Sequence, residues 1–191
     1  MDCMAGYKGC YQRAYRCLGA AAEIVEDQRA ALLTDALSQK LAKRARGILS
    51  REIPRQKPGA PGQVKQRFLG AITHRGELCL YDTALAQCDR AYVLFDSCGL
   101  AHELLLHLLA GAIDNGYDTT ACPDPMAPDR LAHLLIPQLG LAFLTASPTL
   151  PFPGKSYRRI RLDTAADGEL LRRSRPRLRF ARKVSAALTD E

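Results

Sequence analysis

The sequence contains no tryptophan, few aromatic residues (6%) and no long apolar run. No stretch reaches the roughly 18 consecutive apolar residues that a membrane-spanning helix needs, so we predict no membrane segment. The first residues, MDCMAGYKGCYQ, lack the basic segment and apolar run of a signal peptide. We therefore expect a cytoplasmic protein. Its composition, 47% apolar and 25% charged, is typical of a globular domain with a real core.

No two of the seven cysteines have the CxxC spacing of a zinc site or a redox centre. Cys3, Cys10 and Cys17 recur every seven residues, which places them near one face of a helix. Free cysteine usually behaves as a small buried apolar residue. We expect that role for these three.

The first third of the chain is predicted to be helical. Apolar residues recur at three- and four-residue steps in residues 7–26 and again in residues 33–48, which indicates two amphipathic helices. Three prolines and two glycines follow within 54–63, so no helix or strand is expected to cross that stretch. The predicted regions are a helical hairpin or connector at 1–53, a Pro/Gly linker at 54–63 and an α/β domain at 64–191.

Beyond the linker, β-rich segments alternate with helical ones. Strands are predicted on both sides of a turn at 74–76 and then at 91–95, 117–122, 141–147 and 157–162. Helices are predicted from Glu103 to Asn115, from about Pro128 to Pro137, and at 168–188. Pro176 is expected to break or kink the last helix. The alternation predicts an α/β fold with a mostly parallel sheet and flanking helices.

The stretch DSCGLAHE follows the predicted strand at 91–95 and opens a helix, which is the position of a phosphate-binding loop. Such a loop reads GxxxxGK[ST]: backbone N–H groups cradle the phosphates, the lysine contacts them and the hydroxyl holds magnesium. Length and context fit, but both glycines, the lysine and the hydroxyl are replaced. The eight candidate positions are Asp96, Ser97, Cys98, Gly99, Leu100, Ala101, His102 and Glu103.

From Gln66 onward, the chain resembles the second half of a little-characterised bacterial family of P-loop ATPase-like proteins with two P-loop domains in tandem. The resemblance rests on QRFLGAITHRGELCLYDT, on YVLF with the loop after it, on IDNGYD and on PDRLAHLLIPQLGLAFLTAS. The segment YQRAYRCLGAAAEIVED is similar to the helical connector between the two domains. The resemblance implies a P-loop NTPase fold whose first domain is missing, as in a truncated product or a fragment. That missing domain, or a second copy, is then the expected partner.

Carried over position by position, the family's lysine falls on His102 and the following serine or threonine on Glu103. A mostly neutral imidazole and a carboxylate thus replace the groups that hold phosphate and magnesium. Asp96 and Ser97 offer internal acceptors for the N–H groups at the helix start. The apolar stretch LAFLT ends in Thr145, at a position where an Asp or Glu would supply a carboxylate on the magnesium side of the site. We predict a degenerate, non-catalytic domain with a structural or regulatory role and no cofactor; the alternative is a weak binder of ATP and magnesium.

The net charge of +7 is concentrated near the C-terminus, where residues 155–183 contain eleven basic and three acidic residues. This block suggests another alternative, a basic nucleic-acid-binding module. Aromatic residues for base stacking are scarce in the block, which favours a solvated helix face or a partner contact instead. The arginines assigned to a nucleic-acid interaction are Arg158, Arg159, Arg161, Arg172, Arg173, Arg175, Arg177 and Arg179.

Three other motifs are predicted to have no catalytic, phosphate-binding or metal-binding role. Cys98 and His102 are four apart at a helix start, where a thiol pKa can fall, but no orienting third group is identifiable. We therefore predict no catalytic residue. The GKS at 154–156 lacks the upstream glycine and precedes a strand rather than a helix. Four residues of metal-binding type within 122–133 stand among prolines that favour a turn, so no metal site is predicted.

Overall fold

A computed structural model describes residues 3–56, 60–73 and 76–187. Within these ranges, no helix has the length and apolar character needed to cross a membrane. The helices are α1 (Cys3–Leu32), α2 (Asp35–Glu52), α3 (Tyr81–Leu85), α4 (Ala101–Asp114) and α5 (Gly168–Ala187). The strands are β1 (Val64–Gln66), β2 (Gly70–Thr73), β3 (Gly76–Cys79), β4 (Arg90–Phe95), β5 (Thr119–Pro123), β6 (Leu131–Ile136), β7 (Leu141–Ala146) and β8 (Arg158–Arg161).

A six-stranded sheet with the order β1-β5-β6-β7-β4-β8 forms the centre, and β2 and β3 form a separate antiparallel pair. In the large sheet β1, β5, β7, β4 and β8 are parallel, whereas β6 is antiparallel to both of its neighbours. The predicted α/β class, with a mostly parallel sheet and flanking helices, is confirmed. The chain leaves β4 towards β5 on one side and leaves the adjacent β7 towards β8 on the other, so the carboxyl ends of β4 and β7 form a topological switch point, where α/β proteins commonly bind ligands.

Strand β4 is covered on both faces of the sheet. Its four central residues, 91–94, are each at most 1% exposed. Tyr92 and Leu94 belong to the apolar cluster under α2 and α4, whereas Ala91 belongs to the cluster under α3. This double coverage explains why β4 reads as a continuous apolar run rather than an alternating one.

The helix predicted near 128–137 is wrong, because residues 131–136 form strand β6. Leu134 and Ile136 belong to the cluster under α2 and α4, and Leu135 belongs to the cluster under α3. Successive side chains therefore point to opposite faces, which is the period of a strand. A short apolar run that is buried on both faces fits a strand and a buried helix equally well in the sequence.

Both predicted N-terminal helices are present, but their main packing partners lie elsewhere in the fold. α1 packs chiefly against α5, and α2 packs against α4. Leu41 of α2 shares an apolar cluster with Leu104 of α4. The two helices approach closely at Gly111, where a Cβ would lie 2.5 Å from a methyl carbon of Leu49. α2 is thus part of the core that covers the sheet.

Pro176 was expected to break or kink the last helix. Helix α5 continues through it, so the break is wrong and the kink stays a prediction. Proline removes the N–H that would bond to the carbonyl of Arg172, four residues earlier. Both residues are exposed, so water can satisfy that carbonyl.

Parts of two predicted segments lie outside the described ranges. Residues 57–59 of the predicted linker and residues 74 and 75 of the predicted turn lie outside them, as does the side chain of Cys3. The rest of the linker contains no helix or strand. Cys10 is exposed, so the expected buried role is wrong there, and Cys17 is half-buried.

Candidate functional site

The eight predicted loop positions lie together at the carboxyl end of β4. Residues 96–100 form the loop, and residues 101–103 begin α4. The last residue of β4, Phe95, pairs with Ala146 of β7 on one side and with Arg161 of β8 on the other. The loop therefore lies at the switch point of the sheet and at the start of a 14-residue helix.

The carboxyl group of Asp96 accepts hydrogen bonds from the backbone inside the loop. Its Oδ1 accepts from the N–H of Cys98 at 2.9 Å, and its Oδ2 accepts from the N–H of Ala101 at 2.6 Å. Burial raises the pKa of Asp96, whereas hydrogen bonds from the N–H groups of Ala101, Cys98 and Leu100 act in the opposite direction. The N–H groups at this helix start, which in a phosphate loop contact an anion, are therefore bonded to a side chain of the protein.

A second carboxylate, Asp163, holds the loop from the side of β8. Both the N–H and the hydroxyl of Ser97 donate to it, at 3.1 Å and 2.6 Å. Arg182 of α5 donates to the carbonyl oxygen of Ser97 at 3.2 Å. Asp163 was not predicted as a site residue. Its signal in the sequence is an acidic residue just after the strand predicted at 157–162, because the carboxyl ends of parallel strands meet at one sheet edge.

The residues at the lysine and hydroxyl positions make contacts within the protein. His102 Nδ1 accepts from the N–H of Leu131 at 2.9 Å. Burial lowers the pKa of His102, and the nearby guanidinium of Arg130 lowers it further, so the ring is neutral at pH 7. Glu103 forms an ion pair with Arg29 of α1 at 3.2 Å. Each of these side chains therefore already has a partner within the protein.

Gly99 is the glycine within the loop, and both its backbone conformation and its neighbour Arg130 require a residue without a Cβ. Its φ is +74°, in the left-handed region that glycine adopts most readily. A Cβ there would lie 2.8 Å from a guanidinium nitrogen of Arg130, which donates to the carbonyl oxygen of Gly99. Arg130 also pairs with Glu26 of α1 at 3.1 Å. The loop is thus connected to α1 through this arginine.

Thr145 takes part in the contact between β6 and β7. Its hydroxyl donates to the carbonyl oxygen of Ala132, and its N–H donates to His133 Nδ1 at 3.0 Å. Over residues 3–56, 60–73 and 76–187, no group of three or more His, Cys, Asp or Glu side chains is arranged to hold a metal ion.

The thiol of Cys98 lies inside the loop, 3.4 Å from the hydroxyl of Ser97. Burial raises its pKa to about 12, so the group is a thiol rather than a thiolate at pH 7. A thiolate is the reactive form of cysteine. The imidazole of His102, the other member of the weighed pair, accepts the N–H of Leu131 through Nδ1.

A cavity of about 690 Å³ lies beside the loop. It is lined by the loop, by α1, by the β2–β3 pair, by α5 and by segment 124–133. The lining is largely apolar and includes Val25, Ile72 and Leu78. Its arginines are Arg130 and Arg182, and both already bond to loop carbonyl oxygens. The cavity therefore offers little free positive charge to a phosphate.

His133 is expected to make stability depend on pH. It is 5% exposed, and burial lowers its pKa to about 4. The unfolded chain, with a histidine pKa near 6.5, binds more protons at lower pH, so stability is full above about pH 6.5 and is lost progressively down to about pH 4. We expect this histidine alone to lower the free energy of unfolding by about 2 kcal/mol between pH 7 and pH 5.

Urea denaturation at both pH values checks this prediction. His133→Asn keeps an acceptor for the N–H of Thr145 and should reduce the pH dependence, while His107→Asn on the exposed face of α4 should leave it unchanged. Equal pH dependence in the wild type and in His133→Asn would contradict the prediction.

Comparison with known proteins identifies no relative of this chain. No family model, curated protein or solved structure matches the chain.

Proposed function

We propose that this chain is a P-loop NTPase-like domain that no longer binds or hydrolyses nucleotide and has a structural or regulatory role in an ATPase-like protein. The observation that carries the proposal is the carboxyl group of Asp96, which accepts the N–H groups of Cys98 and Ala101. In a working phosphate loop, N–H groups in this place bind phosphate oxygens. Here an internal acceptor takes that role, and the loop is complete without a ligand.

The order of the strands supports a P-loop-like ancestry. After β4 and α4 the chain forms β5, which is separated from β4 by two strands, and only then returns to β7 beside β4. It next crosses to β8 on the other side of β4. A loop that follows a buried central strand, opens a helix and lies at such a switch point is where nucleotide phosphates bind in α/β proteins.

The charges around the loop oppose a bound nucleotide. Asp96 and Asp163 bond to the loop itself, and Glu103 stands where the hydroxyl ligand of magnesium is expected. Like charges at short range repel strongly where water is excluded. The position of the lysine carries the neutral His102, and Thr145 supplies no carboxylate for a metal. These residues do not fit a nucleotide with its magnesium ion.

The same contacts suggest the structural role. Arg130 and Glu103 connect the start of α4 to α1, through Glu26 and Arg29 respectively. Arg182 connects the loop to α5. Side chains that replace the ligand therefore hold the two long helices against the sheet, and the loop acts as a fixed support rather than as a site that opens and closes.

Calorimetric titration with ATP, with and without magnesium, tests the proposal. We expect that the titration with magnesium gives no heat of ATP binding beyond the heat of dilution. Weak binding of ATP to exposed arginines is distinguishable, because it does not depend on magnesium and should weaken as salt is added. Magnesium-dependent binding that persists at high salt would contradict the proposal.

A further inference from the structure

The cavity of about 690 Å³ beside the loop lies where an open α/β sheet commonly binds its ligand. Ser97 and Gly99, which follow β4, line it together with Ser147, which follows β7. The carboxyl ends of these two strands form the topological switch point of the sheet. Pockets for small molecules measure about 300 to 1,000 Å³, and this one is open to solvent rather than enclosed. Its place and size are therefore those of a small-molecule site.

Two walls of the cavity provide apolar surface. α1 contributes Leu18, Ala22 and Val25, which follow one another at the four- and three-residue steps of one helix face. The β2–β3 pair contributes Ile72. All four residues are only partly buried, so apolar surface remains that a ligand could remove from water.

Glu77 lies on the side of the β2–β3 pair that is turned to the large sheet. It stands directly opposite Ile72 in the ladder and two residues before Cys79, so these three side chains share one side of the pair. The Sγ of Cys79 lies 3.5 Å from Nε2 of His133 on β6, which places this side against the sheet. The side chain of Glu77 therefore borders the space between the pair and the sheet.

Carboxylates outnumber guanidinium groups around the cavity. Six acidic residues and two arginines are among the described residues that line it. Arg130 donates to the carbonyl oxygen of Gly99 and pairs with Glu26, and Arg182 donates to the carbonyl oxygen of Ser97. The positive charges of the lining are therefore already engaged within the protein.

Four of the acidic residues are not neutralised. Within the described part of the chain, no lysine or arginine nitrogen lies within 4.0 Å of the carboxylates of Glu23, Glu77, Asp124 and Asp129. The cavity is thus apolar on its walls and negative at several places on its lining, which complements a ligand that is apolar and positively charged.

Two of these carboxylates, Glu77 and Asp124, repel each other. Water reaches Glu77, but the surrounding protein removes part of its hydration and raises its pKa, and the carboxylate of Asp124 raises it further. Asp124 is held in place because its Oδ1 accepts the N–H of Met126 at 2.8 Å. A cation near both carboxylates would remove this repulsion.

We propose that the cavity binds an apolar organic cation, a small molecule with a hydrophobic body and a protonated amine. The body contacts the apolar face of α1 and Ile72, and the ammonium group lies near Glu77 and Asp124. A bare metal ion would leave the apolar walls unused, and an anion would be repelled by the carboxylates. The site uses none of the N–H groups of the loop after β4, and it does not depend on the function proposed for that loop.

Fluorescence titration with N-dansylcadaverine tests the proposal. This probe joins an apolar fluorescent group to a primary ammonium through a five-carbon chain, and its emission increases in apolar surroundings. The matched neutral probe is N-pentyl dansylamide, which keeps the fluorescent group and the chain but lacks the ammonium. We expect the cation to bind the wild type about tenfold more tightly than the neutral probe, because of the carboxylates around the cavity.

The double variant Glu77→Gln/Asp124→Asn identifies the carboxylates. It should weaken binding of the cation about tenfold and leave binding of the neutral probe unchanged. Asparagine keeps an acceptor for the N–H of Met126. The control, Asp82→Asn/Asp114→Asn, removes the same charge from two exposed residues outside the cavity and should leave binding of both probes nearly unchanged. Equal weakening by the two double variants would overturn the proposal, because net charge alone would then explain the preference.

The variant Ala22→Phe identifies the apolar wall. The added ring occupies part of the cavity beside α1 and should weaken binding of both probes. Unchanged binding of both would overturn the proposal, because the fluorescent group would then lie elsewhere. Two results with the wild type alone would also overturn it: no binding of the cation, or equal affinity for the cation and the neutral probe.

Discussion

Replacing Asp96 by alanine is expected to lower the free energy of unfolding by about 3 kcal/mol, and to make stability depend on inorganic phosphate. The variant leaves the N–H groups of Cys98 and Ala101 without their acceptor in a buried loop, and each such group costs roughly 1 to 3 kcal/mol. Phosphate can take the vacated place at the start of α4 and recover part of the loss. Urea denaturation with increasing phosphate, at constant ionic strength set with chloride, measures both effects.

The control for this experiment is a helix cap elsewhere in the chain. Thr34 accepts the N–H of Leu37 at the start of α2, at 3.3 Å, and is exposed. Thr34→Ala should cost about 1 kcal/mol and should show no specific response to phosphate. An equal phosphate response in the wild type and in Asp96→Ala would contradict the assignment of Asp96 as the internal occupant of the loop.

The place of the loop could be predicted from the sequence because its signals are local. Residues 91–95 are a continuous apolar run, and the helix that follows begins within two residues of its predicted start at Glu103. A buried parallel strand and an amphipathic helix each leave such a pattern in a single stretch of chain. The roles expected of Asp96 and Ser97 as internal acceptors also follow from their positions in that stretch.

The groups that hold the loop in place could not be predicted in this way. Asp163 is 66 residues from Ser97, and Arg130 is 104 residues from its partner Glu26. Contacts of this kind depend on which strand lies beside which. The helix predicted at about 128–137 also placed Arg130 inside a helix, whereas it lies in the turn before β6. The sequence pattern predicts whether a segment is a helix or a strand, but not which elements lie beside it.

The placement of the basic residues shows the same limit for charge. Counting charges along the chain groups β8 with α5, because they are close in sequence. The fold instead places Arg158 of β8 near Arg44 and Arg51 of α2. Arg172 and Arg173 on α5 pair with Glu169 within their own helix. A basic segment in sequence can thus contribute to two different surfaces.

Introducing the residues of a phosphate loop in two steps is expected to separate the effect of Asp96 from that of the lysine. The triple variant Ala101→Gly/His102→Lys/Glu103→Ser provides a glycine, a lysine and a hydroxyl at their positions. Asp96 would still accept the loop N–H groups and would attract the introduced lysine. The quadruple variant that adds Asp96→Gly should therefore bind ATP with magnesium at least about tenfold more tightly than the triple variant, a difference of about 1.4 kcal/mol.

Calorimetry of the two variants, after thermal unfolding has shown that both are folded, provides the comparison. Both lose the contacts of His102 with Leu131 and of Glu103 with Arg29, so the loss of these contacts cancels between them. Equal affinity in the two variants would mean that Asp96 does not block the site. Absence of binding in both would contradict the role of Asp96 as the main obstacle, because Asp163 and the missing carboxylate at Thr145 would then be enough to exclude the nucleotide. Tight binding only after Asp96 is removed would identify a single carboxyl group as the feature that turned a ligand site into a structural one.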